Sequence, residues 1–160
     1  MFLTRKEIYL SAETDASLAV HNIRIRLTAY INLDTRRFII LCLRNQKVIQ
    51  LHGIVGIGRF GYALAIELAK EGNDILIIDC DEEKVAELRE YTENAFVVKN
   101  IDKKSLQSTG IQNCDVAVVC IGEQLDTSIL TTLNLVSMGI PHVISKAKSA
   151  EHGEILEKLG

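Results

Sequence analysis

A chain of 160 residues, 48% hydrophobic and 24% charged, has room for one ordinary domain with a buried core. That balance excludes a disordered tail, a collagen-like repeat and a disulfide-stapled miniprotein, and no stretch reaches the roughly 18 apolar residues of a membrane helix. The net charge of −3 divides unevenly: the first 50 residues carry eight basic and four acidic side chains, the remaining 110 carry ten and seventeen.

An acidic main body with 5% aromatics and no Trp is the wrong surface for nucleic acid, so no such partner is expected. The charged start, Met1 to Glu7, has no apolar run behind it, and a secretory leader is not expected. Cys42, Cys80, Cys114 and Cys120 form no C-x-x-C pair and read as free thiols of a reducing cytoplasm rather than disulfides or zinc ligands.

Residues 1–48 read as an N-terminal extension whose first 20 residues show little pattern. Apolar Ile23, Ile25, Leu27, Ala29 and Ile31 alternate with Arg24, Arg26, Thr28 and Tyr30, which predicts a strand with one buried face. Asn32 to Thr35 supply turn residues before a second apolar run, Phe38 to Leu43, so a β-hairpin is the expected arrangement.

From residue 49 to residue 160 the pattern changes to buried strands alternating with amphipathic helices. Apolar runs stand at Gly53–Val55, Ile75–Ile78, Phe96–Val98, Val116–Ile121 and Val143–Ile144. The first helix, from about Phe60 to Glu71, stops at Gly72. The second opens at Asp81, with Glu82 and Glu83 placed to favour the helix dipole and Val85 and Leu88 turned inward. A short third helix ends at Gly110, and the fourth, Asp126 to Met138, ends before Gly139 and Pro141. The fifth starts near Ser149 and presents Ile155, Leu156 and Leu159. Continuous apolar strands need cover on both faces, so the fold class is α/β: a Rossmann-like, doubly wound parallel sheet with helices on both faces.

One motif carries chemistry. Gly56-Ile57-Gly58-Arg59-Phe60-Gly61 is G-x-G-x-x-G between a strand and a helix. Gly56 permits the tight turn, Gly58 lets a pyrophosphate approach the backbone, and Gly61 lets the helix pack closely on the sheet. Free N–H groups opening that helix can then hold phosphate oxygens. Asp79 follows Gly61 by 18 residues, at the end of the second apolar run, where an acid accepts from ribose hydroxyls and repels a 2′-phosphate. Asp81 is better placed as the cap of the second helix.

Four stretches go beyond the glycine pattern: Gly-Ile-Gly-Arg-Phe-Gly at 56–61, Ile-Asp-Cys-Asp-Glu-Glu-Lys-Val at 78–85, Val-Cys-Ile-Gly-Glu at 119–123, and Glu-His-Gly-Glu-Ile-Leu-Glu-Lys-Leu-Gly at 151–160. Through them, residues 53–160 resemble the N-terminal lobe of the family that regulates potassium conductance in bacteria and archaea, the RCK or KTN domain of Ktr and Trk systems. The second lobe with which that family continues is not expected within these 160 residues.

The resemblance implies a non-enzymatic regulatory domain that binds NAD(H) or ATP/ADP. It also implies a homo-oligomer, from dimer to ring, at the inner face of the cell membrane beneath a potassium transporter or channel subunit, whose flux changes with ligand-dependent shape. By position it puts Arg59 at the distal phosphate, Asp79 at the ribose, and Gly122 with neighbouring Ile121 across the crevice. Lys146 becomes a second basic contact near phosphate. Glu123 falls near a subunit interface where some relatives hold a cation. Ile57, Phe60 and Cys80 join the nucleotide-contact set as members of the shared stretches. Lys99 and Asn100 join it from a loop that departs from the family's small-acidic-small-hydroxyl pattern. Plainer readings stand beside these: Arg59 and Lys146 as solvated charges, Glu123 as the opening of a loop, and His52 as a packed histidine next to an unusual strand glycine, Gly53.

Two other functions compete. An NAD-dependent oxidoreductase fragment would need a substrate domain and a positioned proton donor, yet Tyr30, Tyr62 and Tyr91 have no lysine four positions on. A nucleotide-free interaction scaffold would leave the glycine loop empty. The fourth and fifth helices are expected to keep an apolar face, with Leu133, Val136, Ile155 and Leu159, that supports self-association.

Overall fold

The computed structural model describes residues 28–30 and 51–159. In chain order these form β1 (Thr28–Tyr30), β2 (Leu51–Val55), α1 (Arg59–Lys70), β3 (Asp74–Asp79), α2 (Glu82–Leu88) and β4 (Ala95–Val97). Then follow α3 (Lys103–Ser108), a 3-10 turn (Ile111–Asn113), β5 (Val116–Val119), α4 (Leu125–Ser137), β6 (His142–Ala147) and α5 (Ala150–Lys158). The strands make one sheet in the order β1-β6-β5-β2-β3-β4, and each neighbouring pair is parallel. The strands and helices expected after residue 49 are all present, with only their ends displaced. The fold is the expected Rossmann-like, doubly wound one.

Alternation within each strand builds a core on both faces. Ile75, Ile77, Val116 and Val118 point to the side covered by Leu64 and Leu68 of α1 and Leu88 of α2. Leu76, Ile78, Ala117 and Val119 point to the other, against Leu106 of α3, Ile111 of the 3-10 turn and Leu135 of α4. Helix starts are fixed by side-chain oxygens that accept otherwise unpaired N–H groups. Asp81 accepts from Glu83 N and Lys84 N, Asp102 from Ser105 N at 2.8 Å, and Ser149 from His152 N at 3.2 Å.

Gly53, unusual in a central strand, is explained by its neighbour. A Cβ there would lie 3.0 Å from Ile111 Cγ1 and 3.1 Å from Cys114 Sγ, so the 3-10 turn packs directly on the strand backbone. His52 beside it is fully buried, as expected of a packed histidine. Cys114 and Cys120 are buried free thiols, and burial pushes both up to about 12, where they stay protonated and inert. Cys80 is also free but exposed; Cys42 lies outside the described residues.

Thr28–Tyr30 falls inside the alternating stretch predicted as a strand. Its partner is β6, with Thr28 opposite Ser145 and Tyr30 opposite Ala147. The second run of the expected hairpin, Phe38 to Leu43, lies outside the described residues. Among the described residues no helix is long and apolar enough to cross a membrane.

Candidate functional site

Parallel strands bring their C-terminal ends to one edge of the sheet, and there the loops after β2, β3, β5 and β6 converge. Gly56 leaves β2 with φ of +96°, its N–H donating to Ile78 O at 2.9 Å. A Cβ on it would fall 3.0 Å from Ile121 Cγ1, so the loops after β2 and β5 are in contact. Gly61 is required by packing: its missing Cβ would sit 2.1 Å from Gly56 O and 3.1 Å from Cys120 Cβ. Gly58, the N-cap residue of α1, differs. Its φ of −80° suits any residue, and a Cβ there would meet nothing within 4 Å.

Asp79 closes β3 beside this loop. Its Oδ2 accepts from Ile57 N, and its Oδ1 accepts from Asp81 N at 2.9 Å. Asp81 is the cap of α2, as the sequence indicates, and pairs with Lys84 Nζ at 2.9 Å; that hydrogen bond holds its carboxyl below the usual carboxylate range. The turn after β4 approaches the same point through Val98 N, which donates to Asp79 O at 3.0 Å. Lys99 and Asn100 follow directly and are exposed. Partial desolvation by the surrounding chain and the neighbouring Asp79 both push the exposed Cys80 thiol up, so it is a poor nucleophile.

Lys146, on β6, reaches the other side of the crevice. Its Nζ lies 5.7 Å from the centroid of the Phe60 ring and 3.2 Å from where a Gly122 Cβ would stand. A cation over an aromatic face is attracted by the ring quadrupole, which parks this ammonium at the glycine loop. Lys146 also partly offsets the burial that raises Cys120. Arg59, first residue of α1, is exposed.

The structure therefore brings Gly56 to Gly61, Asp79, Ile121, Gly122 and Lys146 to one edge. Glu123 stands apart: its side chain is 96% exposed and lies 3.5 Å from Lys148 Nζ. Among the described residues no three His, Cys, Asp or Glu side chains cluster closely enough to hold a metal. Lys148 was not singled out from the sequence, and nothing local marks it, because its partner comes from a different strand end.

The chain is 36% identical over 107 residues to Ktr system potassium uptake protein C of Bacillus subtilis (strain 168), an alignment covering 67% of this chain and 48% of that protein. It thus spans about half the length of the curated relatives it matches. Its fold is similar to the TrkA-N domain of inner membrane protein ybaL from Escherichia coli, with a TM-score of 0.61 at 15% identity over 72% of this chain and 85% of that one. It is also similar to GsuK in the structure bound to ADP (TM-score 0.59, 24% identity, 78% of this chain, 31% of that one). The GsuK channel bound to NAD gives 0.56 at 16% identity, over 79% of this chain and 24% of that one. With residues 53–160 matching the TrkA-N domain, the chain belongs to that domain family.

Proposed function

We propose that this chain is a nucleotide-sensing regulatory domain of a potassium-transport system, taking NAD(H) or ATP/ADP into the crevice and passing its state to a membrane transporter or channel subunit. Gly58 is the observation that carries the reading. Neither backbone conformation nor packing requires glycine there, and the open space over its backbone suits a phosphate group approaching from outside. The names of the similar proteins, a potassium uptake protein and a channel bound to ADP or NAD, support the ligand and partner classes.

In this reading the N–H groups opening α1 receive phosphate oxygens, Arg59 forks onto the outer phosphate, and Lys146 adds charge from the opposite wall. Asp79 uses its remaining lone pairs on the ribose. Lys99 and Asn100 border the crevice from the turn after β4. In this reading the domain acts by binding alone. Copies associate through the outer face of α4 and α5, with Glu123 near the contact.

Calorimetry with ATP, ADP, NAD and NADH tests this. At least one of them binds the wild type, and Gly58→Ala loses about tenfold or more in affinity while keeping its melting temperature. A wild type that binds none of the four would sink the reading. Asp79→Ala should weaken binding by a similar factor, and unchanged affinity would remove Asp79 from the ligand contacts.

A further inference from the structure

Both oxygens of Asp79 are already engaged by backbone. Ile57, whose N–H Oδ2 accepts, is the second residue of the glycine loop, and Asp81, whose N–H Oδ1 accepts, caps α2. One carboxylate thus ties the start of α2 to a backbone N–H 22 residues before Asp79 in the chain. The Ile57 side chain is 1% exposed and packs with Leu64 and Leu68 under α1. Its side chain is held by the core and its N–H by Asp79, whereas Gly58 and Arg59, which follow, are exposed. The direction in which the chain enters α1 is set at Ile57.

We propose that Asp79 is the positioning residue of the glycine loop: its two side-chain oxygens, before any ligand arrives, fix the path of the loop and align the N–H groups that open α1. This deepens the nucleotide-site reading, but the loop's dependence on Asp79 holds whether or not a nucleotide is the ligand. The two N–H donors approach different oxygens of the carboxylate. An Asn offers one oxygen and sets an NH₂ against the other donor, and an Ala offers none.

Amide exchange by NMR on the nucleotide-free full chain reads this directly. In the wild type the Ile57 and Asp81 amides are both protected from exchange by their bonds to Asp79. In Asp79→Ala both amides exchange at least about tenfold faster, the loss expected for charge-assisted hydrogen bonds; in Asp79→Asn only one does. Inorganic tripolyphosphate supplies a second arm, because it has no ribose for Asp79 to touch. Asp79→Ala should still weaken its binding about tenfold, since the loop that receives it has lost its shape.

Wild-type exchange of both amides in Asp79→Ala overturns the proposal. So does tripolyphosphate binding that survives while nucleotide binding falls, which would leave Asp79 a ribose contact only. If Asp79→Ala fails to fold, Asp79→Asn decides, and wild-type exchange of both amides in that variant overturns the proposal. If the wild type binds neither nucleotide nor tripolyphosphate, the site reading fails and the exchange data judge the positioning role alone.

Discussion

A Cβ on Gly61 would press into Gly56 O at 2.1 Å, a backbone atom that cannot move aside, while the same atom on Gly58 would meet open space. Gly61→Ala is therefore expected to cost about 1–3 kcal/mol or more of stability, read by thermal or urea unfolding, whereas Gly58→Ala should melt with the wild type. Arg59 invites a different test. A regulator needs ligands that bind its two states unequally, and a guanidinium at the mouth of α1 can distinguish one more phosphate or charge. Arg59→Ala should narrow the ratio of ATP to ADP affinity, or of NADH to NAD, more than it weakens either. Titrations that keep the wild-type ratio for both pairs would make Arg59 a surface charge. The glycine loop, Asp79 and the Asp81 cap were legible from spacing, because each follows a local rule of turns and helix starts. The two N–H groups on Asp79 were not, because backbone donors carry no side-chain signature and their direction depends on how two strands lie together.

Helix ends were the most readable elements, since Gly72, Gly110 and Gly139 mark them without help from distant residues. The inner face of α4 was the least readable. Ser128, Thr131 and Thr132 are buried there with Leu135, and Thr132 Oγ1 meets Ser145 Oγ of β6 at 2.6 Å. Three hydroxyls point inward beside Leu135 while Leu130 and Leu133 point outward, against the usual rule. At the next helix, His152 of α5 is buried, and its Nδ1 accepts from Lys148 N at 3.2 Å, a bond that only the neutral ring can make. Burial pushes this imidazole below its ordinary 6.5. The unfolded chain then takes up the proton first as pH falls, so the stabilisation is complete above about 6.5 and is lost progressively below it. Denaturant unfolding should show lower stability at pH 5.5 than at 7.5. His152→Asn, which keeps an acceptor but does not titrate, should flatten that slope; an equal slope would place the dependence elsewhere.

At the scale of the molecule, the inverted polarity of α4 leaves Leu130 56% exposed and Leu133 43%, and Ile155 of α5 is also 43% exposed. The sequence pattern pointed to Leu133 and Ile155 but did not single out Leu130. Val136 and Leu159, grouped with them, are partly covered. Apolar surface of this kind favours contact between copies. Sedimentation of the wild type should show self-association at high concentration, and Leu130→Ser with Leu133→Ser should shift it toward monomer. A wild type that stays monomeric with and without nucleotide would count against assembly through this face.

The order of the strands also dictates an order of assembly during synthesis. Leu51 pairs with Asp74, 23 residues later, but His52 pairs with Val116, 64 residues later. Closing the longer loop costs only about 0.9 kcal/mol more by chain entropy, so the difference between the two pairings is one of timing. At roughly 5–20 residues per second, the stretch from Asp79 to Val119 takes about 2–8 seconds to emerge. Throughout that interval the glycine loop and Asp79 exist while one edge of β2 stays bare. The nascent site can thus gain its first wall before its second, and that unpaired edge is where a stalled or truncated chain would aggregate.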